Sequence, residues 1–430
     1  PHAASRTSST TRAHMTASRF AELPISPLTK RAIAEVLGYE TCTLVQAQTL
    51  PVALTGRDVI AKAKTGTGKT IAFLLPTIER LLRLTENGLR VGTAGVLAIA
   101  ISPTRELAAQ IGAECDLLLR FCPHLSCRVV FGGTNVKQDA RNLTQRAPAV
   151  LVATPGRLND LLYNYNLAQM AAGLATLIFD EADQLLEMGF RPDITRILEA
   201  LAPSRANRQT LLFSATLPTD VLHVAKIAAK PEAALVDTVG KEEQTHQHIE
   251  QHATVAPCEC LPAELLALLG EISAASADNP AGFKVVVFFV TARLTQLYAE
   301  LFQALGFPVL EMHSRKSQPH RTRVAETFRN GRDLVMFSSD VSARGMDYPD
   351  VTCVVQLGLP SDRNQYIHRI GRTARAGKGG GGFLLLADFE AGFLRQISDL
   401  PISQRAPIDA AARARLDPRL GAAVRSLPQL

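Results

Sequence analysis

Three short stretches carry residue types whose spacing suits phosphate chemistry. The first is Ala63-Lys64-Thr65-Gly66-Thr67-Gly68-Lys69-Thr70, set between the apolar run Val59–Ala61 and the helical pattern Ile71–Leu75. A glycine-rich turn between strand and helix lets backbone N–H groups converge on an anion at the helix N-terminus. In such a cradle of Thr65, Gly66, Thr67 and Gly68, Lys69 reaches the β- and γ-phosphates of a nucleotide and the Thr70 hydroxyl ligates Mg²⁺. Ala63 stands where the strict pattern has glycine; the rival reading is a plain strand–helix loop. The second stretch is Leu177-Ile178-Phe179-Asp180-Glu181-Ala182-Asp183, an apolar strand that ends in adjacent carboxylates. Parallel sheets put their sites at this edge, so Asp180 is placed to hold Mg²⁺ and Glu181 to orient and deprotonate a water. Taken alone, the acids read better as a helix cap. The third is His368-Arg369-Ile370-Gly371-Arg372-Thr373-Ala374-Arg375. Arg372 and Arg375 are three apart and so share a face of a helix, where two cations suit a γ-phosphate. Taken alone, that spacing reads as a solvated basic face.

These residues need elements to hold them. From Phe20 to Asp237, short apolar runs alternate with helical patterns: Val96–Ile101, Val129–Phe131, Val150–Val152, Leu177–Phe179 and Thr210–Phe213. Repeated βα chemistry implies a parallel sheet with helices on both faces. A polar stretch, 238–247, reads as a linker. The rhythm resumes over 248–400 with Val285–Val290, Val309–Met312, Leu334–Phe337, Cys353–Gln356 and Phe383–Leu386. The expectation is an α/β chain of two similar domains in tandem, 20–237 and 248–400. Residues 1–19, rich in Ser, Thr and Arg, read as a disordered or transit-like tail. Residues 401–430, rich in Ala, Arg and Pro, read as a C-terminal tail.

Composition sets the outer bounds. The 430 residues are 47% apolar and 20% charged, a globular balance with room for two cores. The apolar runs are strand-sized, far short of the roughly 20 residues of a membrane span. Seven scattered cysteines argue against a disulfide scaffold and for a reducing compartment. Cys122, His124 and Cys127 lack a matching second pair, as do Cys258 and Cys260, so structural zinc is not expected. The formal charge is +6, yet residues 1–19 hold three Arg and no acid, and 401–430 hold five Arg and two Asp. The body between them has 38 basic and 38 acidic residues, so any grip on a polyanion there must come from local arrangement.

Taken in order, the three stretches resemble the motifs of a DEAD-box RNA helicase, a superfamily-2 ATPase. Further motifs extend the likeness from Phe20 to about Leu400. In the first half they are Pro103-Thr104-Arg105-Glu106-Leu107-Ala108, Gly132-Gly133, Thr154-Pro155-Gly156-Arg157 and Ser214-Ala215-Thr216. In the second they are Gln318-Pro319-His320-Arg321, Ser339-Asp340 and Ala343-Arg344-Gly345-Met346-Asp347. The resemblance implies two RecA-like domains, ATP and Mg²⁺ as cofactors, and a role for each matched residue. Gln46 reads adenine, Phe20 stacks on the base and Asp347 contacts the ribose. Lys69, Asp180, Glu181, Arg372 and Arg375 serve hydrolysis. Ser214, Thr216 and His368 couple hydrolysis to RNA. Arg105, Gly133, Thr154, Arg157, Gln318, Arg321 and Ser339 contact RNA. Such short polar groups, glycines and arginines suit phosphate and 2′-OH recognition, which is blind to sequence.

The resemblance further implies a monomer, free of membranes, that binds single-stranded RNA and short duplexes and answers to protein regulators. The wording of His313-Ser314-Arg315-Lys316, of 338–349 and of 358–363 is similar to the organelle helicases that chaperone intron folding. A mitochondrion or plastid is the expected location, with cytoplasm or nucleus as the alternative. An RNA clamp that separates no strands and a DNA helicase are the competing readings.

Overall fold

The computed structural model describes residues 15–64, 66–92, 95–239, 249–276, 282–340, 348, 350–373 and 380–427. The chain divides into two compact units, Pro1–Glu242 and Glu243–Leu430. The first opens with an antiparallel ribbon, β1 (Met15–Arg19) on β2 (Thr41–Thr43). Helix α1 (Pro27–Arg31) lies between them, and α2 (Leu44–Ala53) follows. The main sheet contains β3 (Val59–Lys62), β4 (Ala98–Ile101), β5 (Cys127–Val130), β6 (Val150–Ala153), β7 (Thr176–Phe179), β8 (Gln209–Ser214) and β9 (Ala234–Asp237). Its order is β5-β6-β4-β7-β8-β3-β9, with every neighbouring pair parallel. The helices between strands are α3 (Lys69–Glu86), α4 (Arg105–Leu118), α5 (Val136–Gln145), α6 (Pro155–Asn164), α7 (Leu167–Met170), α8 (Ala182–Glu187), α9 (Arg191–Ala200) and α10 (Thr219–Ala228).

The strands read as unbroken apolar runs because both faces are covered. Ala98, Ala100, Val150, Val152 and Ile178 join the core under α3 and α4, while Ile99, Ile101, Leu151, Leu177 and Phe179 join the core under α6, α9 and α10. Period-two alternation thus divides one hydrophobic run between two cores.

The second unit repeats the plan with β10 (Glu250–Ala256), β11 (Lys284–Phe289), β12 (Leu310–Met312), β13 (Leu334–Ser338), β14 (Cys353–Leu357), β15 (Gly381–Ala387) and β16 (Ile402–Gln404). The order is β12-β13-β11-β14-β15-β10-β16, again all parallel. Its helices are α11 (Leu261–Ala275), α12 (Ala292–Ala304), α13 (Gln318–Asn330), α14 (Arg363–Ile370) and α15 (Ala410–Ser426). The expected pair of RecA-like parallel-sheet domains is what the chain forms. All seven cysteines are free thiols, and among the described residues no helix is long and apolar enough to cross a membrane.

Two segments differ from expectation. Residues 15–19 of the supposed N-terminal tail form β1, pinned where the Thr16 hydroxyl donates to the Cys42 carbonyl at 2.9 Å; residues 1–14 lie outside the described residues. The supposed C-terminal tail is built into the second unit. β16 pairs with β10 from Gln251↔Ile402 to Ala253↔Gln404, and α15 buries Leu420 and Ala423 in the core it shares with α11 and α12. Asp409 caps that helix by accepting the Ala412 N–H at 2.6 Å, and Glu264 accepts the Ile408 N–H at 3.0 Å. Small alanines and a Pro inside the helix blur its apolar stripe, which is why composition alone reads it as a tail. Gly381 and Gly382 open β15. Of the expected linker, 240–247 lies outside the described residues, while Thr238 still bonds the Lys62 carbonyl beside β9.

Candidate active site and nucleic-acid loops

β3 delivers the phosphate loop. The Ala63 N–H bonds the Ser214 carbonyl at 2.9 Å, and the Thr67 hydroxyl closes on the Lys64 carbonyl at 2.7 Å. Gly66 and Gly68 take φ of 77° and 90°, a region glycine enters without strain. Gly68 caps α3, so the orphan N–H groups of that long helix open onto the loop. Thr65 lies outside the described residues. Lys69 is only 6% exposed, and its Nζ sits 2.8 Å from Glu181 Oε1. Burial alone lowers an ammonium's pKa; here the carboxylates of Glu181, Asp180 and Asp183 outweigh it, and Lys69 stays charged, with its pKa raised.

β7 delivers the carboxylates. Asp180 follows its last residue, and Glu181 turns the chain into α8 from a left-handed φ of 51°. That turn, uncommon for a side chain with a Cβ, aims Glu181 back at Lys69. Asp180 is 3% exposed, and its Oδ1 has no hydrogen-bond partner among the described residues. Burial pushes this carboxyl up to about 7, against the pull of Lys69. A buried oxygen without a donor fits a hard cation that takes one carboxylate and completes its shell from phosphate and water, and Thr70, the second residue of α3, is half-buried. Among the described residues no group of three or more His, Cys, Asp or Glu is arranged to hold a metal by itself.

Asp183, which motif reading left without a role, is the hub that ties the acidic turn to β8. Its N–H donates to Ser214 Oγ at 3.0 Å, and its Oδ2 accepts both the N–H and the hydroxyl of Thr216, at 2.9 and 2.8 Å. Ser214 and Thr216 therefore lie one hydrogen bond from the acidic turn rather than capping a helix. Gln46 lies at the other rim. Its Oε1 accepts the Thr43 N–H at 2.8 Å, closing the capping box of α2, and its Nε2 donates to the Gly68 carbonyl at 3.1 Å. The amide expected to read adenine is thus spent on the phosphate loop. Phe20 also departs from expectation. The turn after β1 points its ring into the core, where it is 3% exposed and offers no open face to a base.

The first-unit residues expected on RNA sit after three adjacent strands, β5, β6 and β4. Arg105 starts α4 and reaches over Gly133, where a Cβ would stand 2.5 Å from its Nη1. Gly133 also has φ of 87°, so this close approach calls for glycine twice over. Thr154 precedes α6 without a side-chain capping bond. Arg157 departs from expectation. It is 7% exposed, ion-paired to Asp139, and gives 2.7 Å bonds to the Thr134 hydroxyl and carbonyl. Its guanidinium braces the Gly133 loop from beneath, because Asp139 lies one turn into α5 on the side facing α6.

In the second unit, Gln318 and Arg321 occupy the start of α13 after β12 and bond each other, and Ser339 follows β13 with its N–H on the Met312 carbonyl at 3.1 Å. A buried pair anchors this edge: His313 Nε2 lies 2.6 Å from Glu311, whose other oxygen takes Lys316 at 2.7 Å. The arginine motif also differs from expectation. α14 ends at Ile370, so Arg372 lies in the turn beyond it, 3% exposed, with its Nε on the His368 carbonyl at 3.3 Å. Gly371 is the C-cap of that helix. Arg375 and Asp347 lie outside the described residues. Sequence reading also left Asp340 without a role. It grips the buried Arg369 through two bonds, at 2.7 and 3.0 Å, and takes a third from Gln365 at 3.0 Å.

Known proteins resemble this chain in both units. The DEAD/DEAH box helicase family model matches residues 43–224, and the helicase conserved C-terminal domain matches 264–377. DEAD-box ATP-dependent RNA helicase 31 of Oryza sativa subsp. japonica is 47% identical over 393 residues, which cover 91% of this chain and 70% of that protein. Helicase 26 of Arabidopsis thaliana is 44% identical over 411 residues, covering 95% of this chain and 47% of that protein. Among solved structures, Mss116p bound to single-stranded RNA and AMP-PNP superposes with a TM-score of 0.83 at 32% identity, covering 94% of this chain and 81% of the other. Dbp5 of S. cerevisiae bound to RNA and ADP BeF3 gives 0.72 at 26% identity, covering 96% and 100%. The chain belongs to the DEAD-box RNA helicases of superfamily 2.

Proposed function

We infer that this protein is an ATP-dependent RNA helicase that hydrolyses ATP and separates short RNA duplexes locally, holding the backbone without reading sequence. The observation that carries this reading is the buried Lys69–Glu181 pair at the mouth of the phosphate loop, next to an Asp180 oxygen without a donor. Lys69 is buried and stays charged, ready for a polyanion. The β- and γ-phosphates of ATP compete with Glu181 for its ammonium. Once released, Glu181 is free to accept the proton of the attacking water. Asp180 and Thr70 would hold Mg²⁺, which when bound draws charge from the phosphate oxygens. Gln46 trades the Gly68 carbonyl for the adenine edge, so base recognition and loop geometry change together. In the second unit the family motifs assign Arg372, Arg375 and Asp347 to ATP, and His368 to coupling with RNA. Each ligand raises the affinity for the other, a linkage that runs both ways.

Asp183 carries the coupling, because any shift of Glu181 and α8 pulls on Thr216 through its carboxylate and on Ser214 through its N–H. Arg105, Gly133 and Thr154 hold backbone in the first unit; Gln318, Arg321 and Ser339 do so in the second. The protein acts as a monomer open to protein regulators. Steady-state ATPase with RNA, with DNA and without either tests the reading. RNA alone should stimulate turnover, and a short RNA duplex should separate with ATP. Equal stimulation by DNA would favour a DNA helicase, and stimulation without strand separation an RNA clamp. Work in an organelle, on intron splicing or ribosome maturation, is supported by the motif wording and the Arg/Ser-rich start. A tagged full-length protein found in cytoplasm or nucleus would overturn that location.

A further inference from the structure

α5 carries a second feature that the catalytic account does not use. Its outer face, with Tyr165 from the end of α6, lines a cavity of about 460 Å³ formed by Lys137, Ala140, Arg141, Thr144, Gln145 and Tyr165. Lys137 and Arg141 are four apart and so stand on one helical face. Both are exposed, and neither is ion-paired among the described residues. The one acid of α5, Asp139, is already committed to Arg157. The face is therefore cationic in fact and not only by count. Tyr165 is half-buried against the core, which fixes its ring at the edge of the cavity. Two cations beside an anchored aromatic and an apolar floor make a place for one nucleotide, with phosphate on the cations and base on the ring. The depression is largely open to solvent, as suits one nucleotide of a continuing strand.

Position selects the occupant. Asn135 caps α5 through its Oδ1, accepting the N–H groups of Lys137 and Gln138 at 3.0 and 3.2 Å. The helix thus grows directly out of the Gly132-Gly133 loop, which Arg157 and Asp139 clamp from below. At 1.5 Å per residue, Arg141 stands roughly 6 Å beyond Lys137 along the axis, leading away from that loop. We propose that this face is an auxiliary RNA site, which holds a nucleotide of the same strand just outside the segment bound by Gly133 and Arg105. The site deepens the RNA reading above and rests on it. It makes affinity depend on strand length without adding sequence preference, since every base has a face to stack and every linkage a phosphate.

The test compares wild type with Lys137→Ala/Arg141→Ala and with Tyr165→Leu. Binding of oligo(U) of about 8 and about 20 nucleotides is measured by anisotropy with a non-hydrolysable ATP analogue, the short strand being of the size one small binding module covers. Wild type should bind the long strand about 5- to 10-fold more tightly than the short one, beyond the statistical gain, and each variant should lose most of that margin. ATPase stimulated by the short strand should stay at the wild-type level in both, since neither variant touches the nucleotide site. A margin that persists in the variants overturns the proposal, and capture of an acidic peptide lost in the same variants would assign the face to a protein instead. Failure of short RNA to stimulate wild-type ATPase would overturn the RNA reading itself, a result separable from loss of the length effect.

Discussion

At the residue scale, the decisive contact is Lys69 with Glu181. A carboxylate that pairs with the phosphate-binding lysine cannot also act as a base, so this arrangement holds both groups in check until phosphate arrives. Replacing Glu181 with Gln keeps a partner of the same shape but removes the base. Turnover should fall by about 10²-fold or more, while ATP and RNA binding persist, because Lys69 no longer has a competing anion. Steady-state ATPase and nucleotide titration read both effects, and unchanged turnover would remove Glu181 from the mechanism. The meeting of Lys69 with Asp180 and Glu181 was legible from types and spacing alone. What spacing does not carry is which polar groups are already spent. Gln46, Phe20 and Arg157 match motif positions, yet their side chains are committed to a cap, a core and a brace. Such commitments depend on partners far away in sequence, as with Gln46 and Gly68.

At the element scale, strands place the site and pairs of buried groups fix the loops. The carboxyl ends of β4, β5, β6 and of β12, β13 gather the residues expected on RNA, and that gathering follows from sheet order, which no local pattern states. Asp340 illustrates the fixing. Arg369 is 1% exposed and depends on this carboxylate, so Asp340→Ala leaves a buried guanidinium without its counter-ion. We expect a loss of about 3–5 kcal/mol, read by equilibrium urea unfolding of the full chain. A loss below about 1 kcal/mol would show the pair to be no more than a surface ion pair. The final segment gives a second test. Ending the chain at Leu400 strips β16 from β10 and α15 from α11 and α12, so the second unit should unfold at markedly lower temperature and ATPase should fall with it. If the truncated protein keeps full stability, α15 is an appendage.

At the scale of the whole molecule, the charge distribution takes on a structural meaning. The body is balanced, so RNA must be held by a few placed groups, and α5 shows how a balanced chain presents a cationic face by pairing off its acid. The +3 of residues 401–430 belongs to a folded strand and helix, not to a loose tether. The two-domain plan was legible from βα rhythm, because parallel strands buried on both faces leave continuous apolar runs. The ends were not, because an alanine-rich helix and short strands leave no such trace. The central claim is that the phosphate loop's lysine couples ATP to strand separation. It is tested most directly by a short-duplex unwinding assay on wild type and Lys69→Ala, with circular dichroism to confirm that the variant folds. Wild type should separate the duplex only when ATP is present, and Lys69→Ala should not separate it at all. Separation by the variant at the wild-type rate with ATP would contradict the account.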